Sequence, residues 1–153
     1  YKSKNYEDIN RAVKFIISIR HELNLHINFC QKWNISLNKL NNIKALQANS
    51  SYTDYVLGIG KKGSNLDLYT SLAPCIIGYG EIGLNLSKIK NWRKSKYKAW
   101  IQMYSSKEYQ FVARENISYL ELLFKKEKND NFKKLLKIFK KATTLEKKFW
   151  SMI

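Results

Sequence analysis

Two places in this chain of 153 residues carry side chains whose type and spacing suggest chemistry. The first is the stretch Leu72-Ala73-Pro74-Cys75-Ile76-Ile77-Gly78-Tyr79-Gly80-Glu81-Ile82-Gly83, where Cys75 directly follows the only proline of the chain. Tyr79 and Gly83 come four and eight residues after Cys75, which stacks all three on one side of a helix. Gly78 and Gly80 flank the tyrosine and leave room for something to approach the backbone. A thiol, a phenol and a bare patch of backbone on one face are what one wall of a pocket would need. The competing account is a kinked core helix whose cysteine packs as a small hydrophobe, the commoner fate of a buried cysteine. The second place is Glu146, the only carboxylate after Asp130 in a lysine-rich stretch, just before Phe149-Trp150. Its ordinary role would be an ion pair with a lysine one turn away.

The elements that must hold these groups read as helices throughout. One proline, six glycines and a predominance of strong helix formers predict an all-α fold. A long helix is expected from about Tyr6 to Trp33, with Ile9, Val13, Ile16, Leu23, Ile27 and Cys30 as its core stripe. A short helix or turn should follow over Ile35 to Ala45, capped by Ser36, and Gln47 to Ser51 reads as a polar break. Ser51 onward is helical into Gly58-Ile59-Gly60, with Tyr52, Tyr55, Val56 and Ile59 on one side. That glycine pair follows a helix and lacks the third glycine of a phosphate-binding fingerprint. Ser64 with Asp67 forms a capping-box start for the helix that carries Cys75, expected to reach about Lys90 and to bend at Pro74. A basic connection with Trp92 leads to a helix bearing Tyr97, Trp100, Ile101 and Tyr104. Ser105 with Glu108 predicts another capped start, for a helix through about Lys128. Asn129-Asp130 marks the start of the last helix, whose core is Phe132, Leu135, Leu136, Phe139, Ala142, Leu145, Phe149 and Met152.

Composition bounds the function classes. The length supports one domain with a real core. No apolar run approaches a membrane span, and no signal peptide is visible. Cys30 and Cys75 make no disulfide framework and no metal-spaced cluster, so both are read as reduced thiols in a cytoplasmic protein. His21 and His26 are five residues apart and fall on different helix faces, which argues against a metal pair. The formal net charge of +16 admits an anionic partner, nucleic acid first. The lysines are spread over most helices, however, in a background rich in Asn and Ile, as a drift in composition alone would leave them.

The Leu-Ala-Pro-Cys and Gly-Tyr-Gly-Glu-Ile-Gly motif around Cys75 resembles the TenA family, the thiaminase II enzymes of thiamin-pyrimidine salvage. Ala142-Thr143-Thr144-Leu145-Glu146-Lys147-Lys148-Phe149-Trp150 resembles that family's closing motif, and Tyr52-Thr53-Asp54-Tyr55 and the aromatic stretch ending at Tyr104 fall between and before them in matching order. The resemblance implies a haem-oxygenase-like helical bundle, usually a homotetramer. It implies Cys75 as nucleophile, Glu146 as general acid and base, and Tyr52, Tyr79 and Tyr104 as substrate-binding residues, with no cofactor and no metal. The family's first helices carry an aspartate and a tyrosine that hold the pyrimidine edge, and nothing before Tyr6 supplies them. Residues 1–153 are therefore expected to be a single TenA-like domain whose N-terminal part is missing.

The reaction implied is hydrolysis of the C–N bond at a pyrimidine's 5-methylene, in an aminomethylpyrimidine or in thiamin. Direct displacement is hard at an aromatic ring. A thiolate that adds to a ring carbon breaks the aromaticity and lets the amine leave, which is covalent catalysis. The departing amine needs a proton from an acid within hydrogen-bond reach. The alternative from another class is a basic, helical nucleic-acid-binding or regulatory protein without enzymatic activity.

Overall fold

The computed structural model describes residues 5–127 and 132–152. Among them are seven α-helices, one short 3-10 turn and no strand. By its internal contacts the chain divides into two units, Tyr1–Ala45 and Leu46–Ile153.

The first unit is built on α1 (Tyr6–Lys32) and the short α2 (Leu37–Asn41). Asn5 caps α1 by accepting from the Asp8 amide at 2.9 Å and donating back to the Asp8 carboxylate at 3.0 Å. Glu7 and Asp8 in the first turn and Lys32 in the last complement the helix dipole. The chain leaves α1 through Asn34 in the left-handed conformation (φ 59°), and Ser36 caps α2 as its sequence predicts. The expected core stripe of α1 is not a core: the helix has no buried residue, and Ile9, Val13, Ile16 and Leu23 lie exposed. Periodicity reports that a helix has an apolar face, not that anything covers it.

The second unit surrounds α4 (Asn65–Leu86), which packs against α3 (Gln47–Lys62), α5 (Lys98–Tyr104), α6 (Lys107–Lys126) and α7 (Phe132–Trp150). α3 starts at Gln47, inside the stretch read as a polar break, because Ala48 and the serines beside it are tolerated in a first turn. Its end at Lys62 and the capping box of Ser64 with Asp67 follow the sequence. Asp67 is buried and does two jobs: its carboxylate accepts from the Ser64 amide at 2.9 Å and from Lys134 Nζ at 2.6 Å. That ion pair ties the start of α4 to α7.

α4 runs unbroken through Pro74 and stops at Leu86, one turn short of the expected Lys90. It accepts neighbours on several sides because its buried positions are small: Ser71, Ala73, Gly80 and Gly83 are among them. At Gly83 a Cβ would lie 2.6 Å from Tyr104 Cβ, so only glycine admits α5 at this distance. Gln110 fastens the same corner, its Nε2 donating to the carbonyls of Gly80 at 2.8 Å and Tyr104 at 2.9 Å. The cap of α6 is Ser106, one residue beyond the expected Ser105, and accepts from the Tyr109 amide at 3.1 Å. Either serine suits the role; the turn that ends α5 takes up the first. The expected start of α7 at Asn129-Asp130 lies outside the described residues.

A cluster of Leu66, Tyr119 and Leu123, with Tyr69 set edge-on to Tyr119 at 4.8 Å, fills the space between α4 and α6. Beside it an apolar groove of about 550 Å³ runs between α4, α6 and α7.

Candidate active site

The groups singled out in the sequence converge where α3, α4, α5 and α7 meet. Glu146 is 6% exposed. Its Oε1 accepts a hydrogen bond of 2.7 Å from the Tyr79 hydroxyl. Its Oε2 is buried without a hydrogen-bond partner. The ion pair with a lysine one turn away is therefore not its role: the positions one turn off are Ala142, Thr143, Phe149 and Trp150, and Glu146 turns inward to a tyrosine.

Burial raises the pKa of the Glu146 carboxyl, and the Tyr79 hydrogen bond pulls it part of the way back. A carboxylic acid shifted in this direction holds a proton closer to neutral pH, as a general acid must. Burial likewise raises Tyr79, as does its bond to Glu146. Tyr52 is raised chiefly by burial and next by the Cys75 thiol beside it. Both phenols stay protonated and act as hydrogen-bond donors.

Cys75 follows Pro74 on the face of α4 that also bears Tyr79. Its Sγ donates to the Leu72 carbonyl at 3.1 Å. Neither Cys75 nor Cys30 is in a disulfide. Tyr52 brings its ring from α3, and its buried hydroxyl lies beside the Cys75 thiol. Tyr52 and Tyr79 each lie within electrostatic reach of both Cys75 and Glu146. Thiol, carboxyl and two phenols thus form one constellation in which Glu146 Oε2 is left without a partner. Buried polar groups normally find partners, and one left over at this place suits a bound polar ligand.

Tyr104 belongs to the support of this site. It is 1% exposed and meets the Tyr79 ring edge-on at 5.3 Å. Trp100 lies 4.4 Å from Tyr104 and 5.8 Å from Tyr79. Trp150 closes the cluster, 5.7 Å from both Tyr79 and Trp100, and its Nε1 donates to the Tyr79 hydroxyl at 3.1 Å. Trp100, Trp150 and Gln110 received no role from the sequence. For Trp150 a signal was present: it follows Glu146 by four residues, as Tyr79 follows Cys75, so the two helices present facing pairs.

Of the two glycines expected to leave room beside Tyr79, Gly80 does not. A Cβ on Gly80 would meet Tyr109, Gln110 and Ala113 at ordinary contact distance, so that backbone is covered by α6 and not by a ligand. Gly78 has nothing within 4 Å of its Cβ position. Among the described residues no group of three or more His, Cys, Asp or Glu could hold a metal ion. None of the described helices is long and apolar enough to cross a membrane.

An all-helical protein with a buried acid, a thiol and stacked aromatics at one helix junction is thereby defined. The chain belongs to the TENA/THI-4/PQQC family, whose profile matches residues 1–153. A protein of Haemophilus influenzae without an assigned activity is 30% identical over 153 residues, 99% of this chain and 71% of that protein. An aminopyrimidine aminohydrolase of Helicobacter pylori is 32% identical, covering 95% of this chain and 66% of the relative. One from Halalkalibacterium halodurans is 33% identical, covering 86% and 59%. The crystal structure of a TenA family transcription regulator from Silicibacter superposes with a TM-score of 0.90 at 31% identity, covering 99% of this chain and 69% of that one. The chain therefore spans about two thirds of the length of these proteins.

Proposed function

We propose that the chain carries the catalytic residues of an aminopyrimidine aminohydrolase, the thiaminase II activity of thiamin-pyrimidine salvage. The observation that carries this reading is Glu146, a buried carboxyl with a raised pKa and one unpartnered oxygen, set across Tyr79 from the face of Cys75. Two relatives bearing that activity in name, each about a third identical, support it.

In this reading the ring of 4-amino-5-aminomethyl-2-methylpyrimidine lies against Tyr52 and Tyr79, with Tyr104 backing Tyr79; Tyr52 supplies a hydroxyl donor, while the Tyr79 hydroxyl donates to Glu146. Cys75 Sγ adds to a ring carbon as its thiol proton passes to a ring nitrogen, and the ring's aromaticity is lost. The C–N bond at the 5-methylene breaks as Glu146 gives its proton to the leaving amine, which departs as ammonia. Glu146, now ionised, takes a proton from water as the water oxygen bonds to the methylene carbon. The C–S bond then breaks and the proton on the ring nitrogen returns to sulfur, restoring the aromatic ring and the thiol. The sum is amine plus water giving alcohol plus ammonia. Thiamin enters the same scheme with its thiazolium as leaving group. No cofactor or metal takes part.

The same proposal takes residues 1–153 as part of one TenA-like domain, in a homotetramer in the cytoplasm; the unbridged cysteines and the uncovered apolar face of α1 support it. The test is ammonia release from the aminomethylpyrimidine by the full-length protein. Cys75→Ser should abolish turnover and keep the helical circular dichroism. Glu146→Gln should lower kcat by about 10²–10⁴-fold, the usual weight of a general acid, with substrate still bound. A fully active Cys75→Ser protein would overturn the mechanism. Absence of turnover in the intact protein would favour the basic, nucleic-acid-binding alternative, to be tested by salt titration.

A further inference from the structure

Tyr79 sits between two partners that differ in what they can do. Trp150 Nε1 is a donor only, and it points at the Tyr79 oxygen from 3.1 Å. Glu146 Oε1 lies 2.7 Å from the same oxygen. A phenol paired with a carboxylic acid alone has two arrangements. Either the phenol donates to the acid, or a proton on the acid's near oxygen donates to the phenol. An indole N–H on the phenol oxygen breaks that tie. It occupies an acceptor site of the phenol and polarises its O–H, which strengthens donation to the next group in the chain.

We propose that Trp150 is a positioning residue: its indole N–H fixes the Tyr79 hydroxyl as donor to Glu146 Oε1, which leaves Oε2 as the atom that holds and transfers the proton. The inference rests on the reading of Glu146 as general acid. Oε2 is the oxygen that is buried and has no partner, so the proton is directed to the one carboxyl atom left free to give it up. Trp150 is well suited to the task without being sealed in. It is 41% exposed, yet its ring is held by Tyr79, Trp100 and Phe149.

The titratable groups around Glu146 come from two helices besides its own. Tyr52 faces it from α3 and Tyr79 from α4, with Cys75 next to both tyrosines. On α7 itself, Lys147 and Lys148 point to solvent. The hydrogen bond from Tyr79 favours the ionised form of Glu146. Weakening that bond must therefore raise the carboxyl's midpoint.

The experiment is a pH titration of the Glu146 side-chain carboxyl by ¹³C NMR in the full-length protein, the resonance being assigned by its loss in Glu146→Gln. Trp150→Phe keeps a ring in place and removes the N–H. It should raise the midpoint by about 0.5 pH unit, and Tyr79→Phe by about one unit or more. The double variant should match Tyr79→Phe alone, since Trp150 acts only through that hydroxyl. Trp150→Leu, also without an N–H, should shift the midpoint as Trp150→Phe does and serves as the second variant should the phenyl ring not be accommodated. A Trp150→Phe or Trp150→Leu protein that folds and titrates with the wild type overturns the proposal. So does a double variant that moves beyond Tyr79→Phe, because Trp150 would then act through packing. No turnover is needed for this readout, so an inactive protein would count against the hydrolase and not against the relay.

Discussion

Glu146 illustrates how a single carboxyl can weigh on stability as well as on chemistry. Its pKa is raised by burial, so the folded state favours the protonated form more than the unfolded chain does. The contribution to stability is full below the unfolded pKa and is lost as pH rises through the higher folded value. Above that, an ionised group must be kept in a buried place. Glu146→Gln does not titrate and should melt higher than the wild type at pH 8, by about 2–4 °C for each kcal/mol relieved. The gap should close towards pH 4, and a thermal scan at the two pH values checks it. Loss of activity with gain in stability is the pattern of a site held against its own preference. At this scale the sequence was legible where residues repeat at helical intervals. Cys75 with Tyr79 and Glu146 with Trp150 are each four apart, but that Trp150 would donate to Tyr79, far away in the chain, depends on how α7 lies on α4, which no spacing encodes.

Among the helices, α4 is the one whose sequence is least free. Its glycines divide into those that are needed and those that are not. Gly83→Ala would drive a Cβ into Tyr104, with 2.6 Å to its Cβ and 2.8 Å to its carbonyl carbon. Helix α5 would have to move, at a cost of about 1–3 kcal/mol typical of overpacking. Because Tyr104 backs Tyr79, turnover should fall with stability. Gly78→Ala meets nothing and should stabilise α4 by about 0.5–1 kcal/mol, the ordinary gain of alanine over glycine inside a helix. Chemical denaturation of the two variants distinguishes the positions. The caps at Ser36 and at Ser64 with Asp67 were readable because capping is a local bargain between neighbours. The choice of Ser106 over Ser105 was not, since it depends on where α5 stops. The same limit explains α1: six apolar residues at helical steps announce a face, and only the three-dimensional structure shows it bare.

For the molecule as a whole, surface chemistry matters most. The described lysines are exposed on every helix but α4, which has none, and they are densest on α7. Apolar surface is concentrated as well. Ile16 and Leu23 on α1 are 64% and 56% exposed. A tetramer of the kind proposed would cover surface of this sort. Sedimentation velocity should find the protein heavier than one chain, and Ile16→Asp with Leu23→Asp should shift it towards the monomer. A monomeric wild type at micromolar concentration would remove the tetramer from the proposal.

The aromatic cluster has an optical consequence. Two of the four tryptophans, Trp100 and Trp150, meet almost perpendicularly at 5.7 Å, with Tyr79 against both. Indoles this close share their excited states, so the far-ultraviolet circular dichroism, where the strong indole transition lies, should carry a signed pair of bands that Trp150→Phe erases. The junction of α4, α5 and α7 thus reports its own assembly by light, with no label added and no substrate turned over.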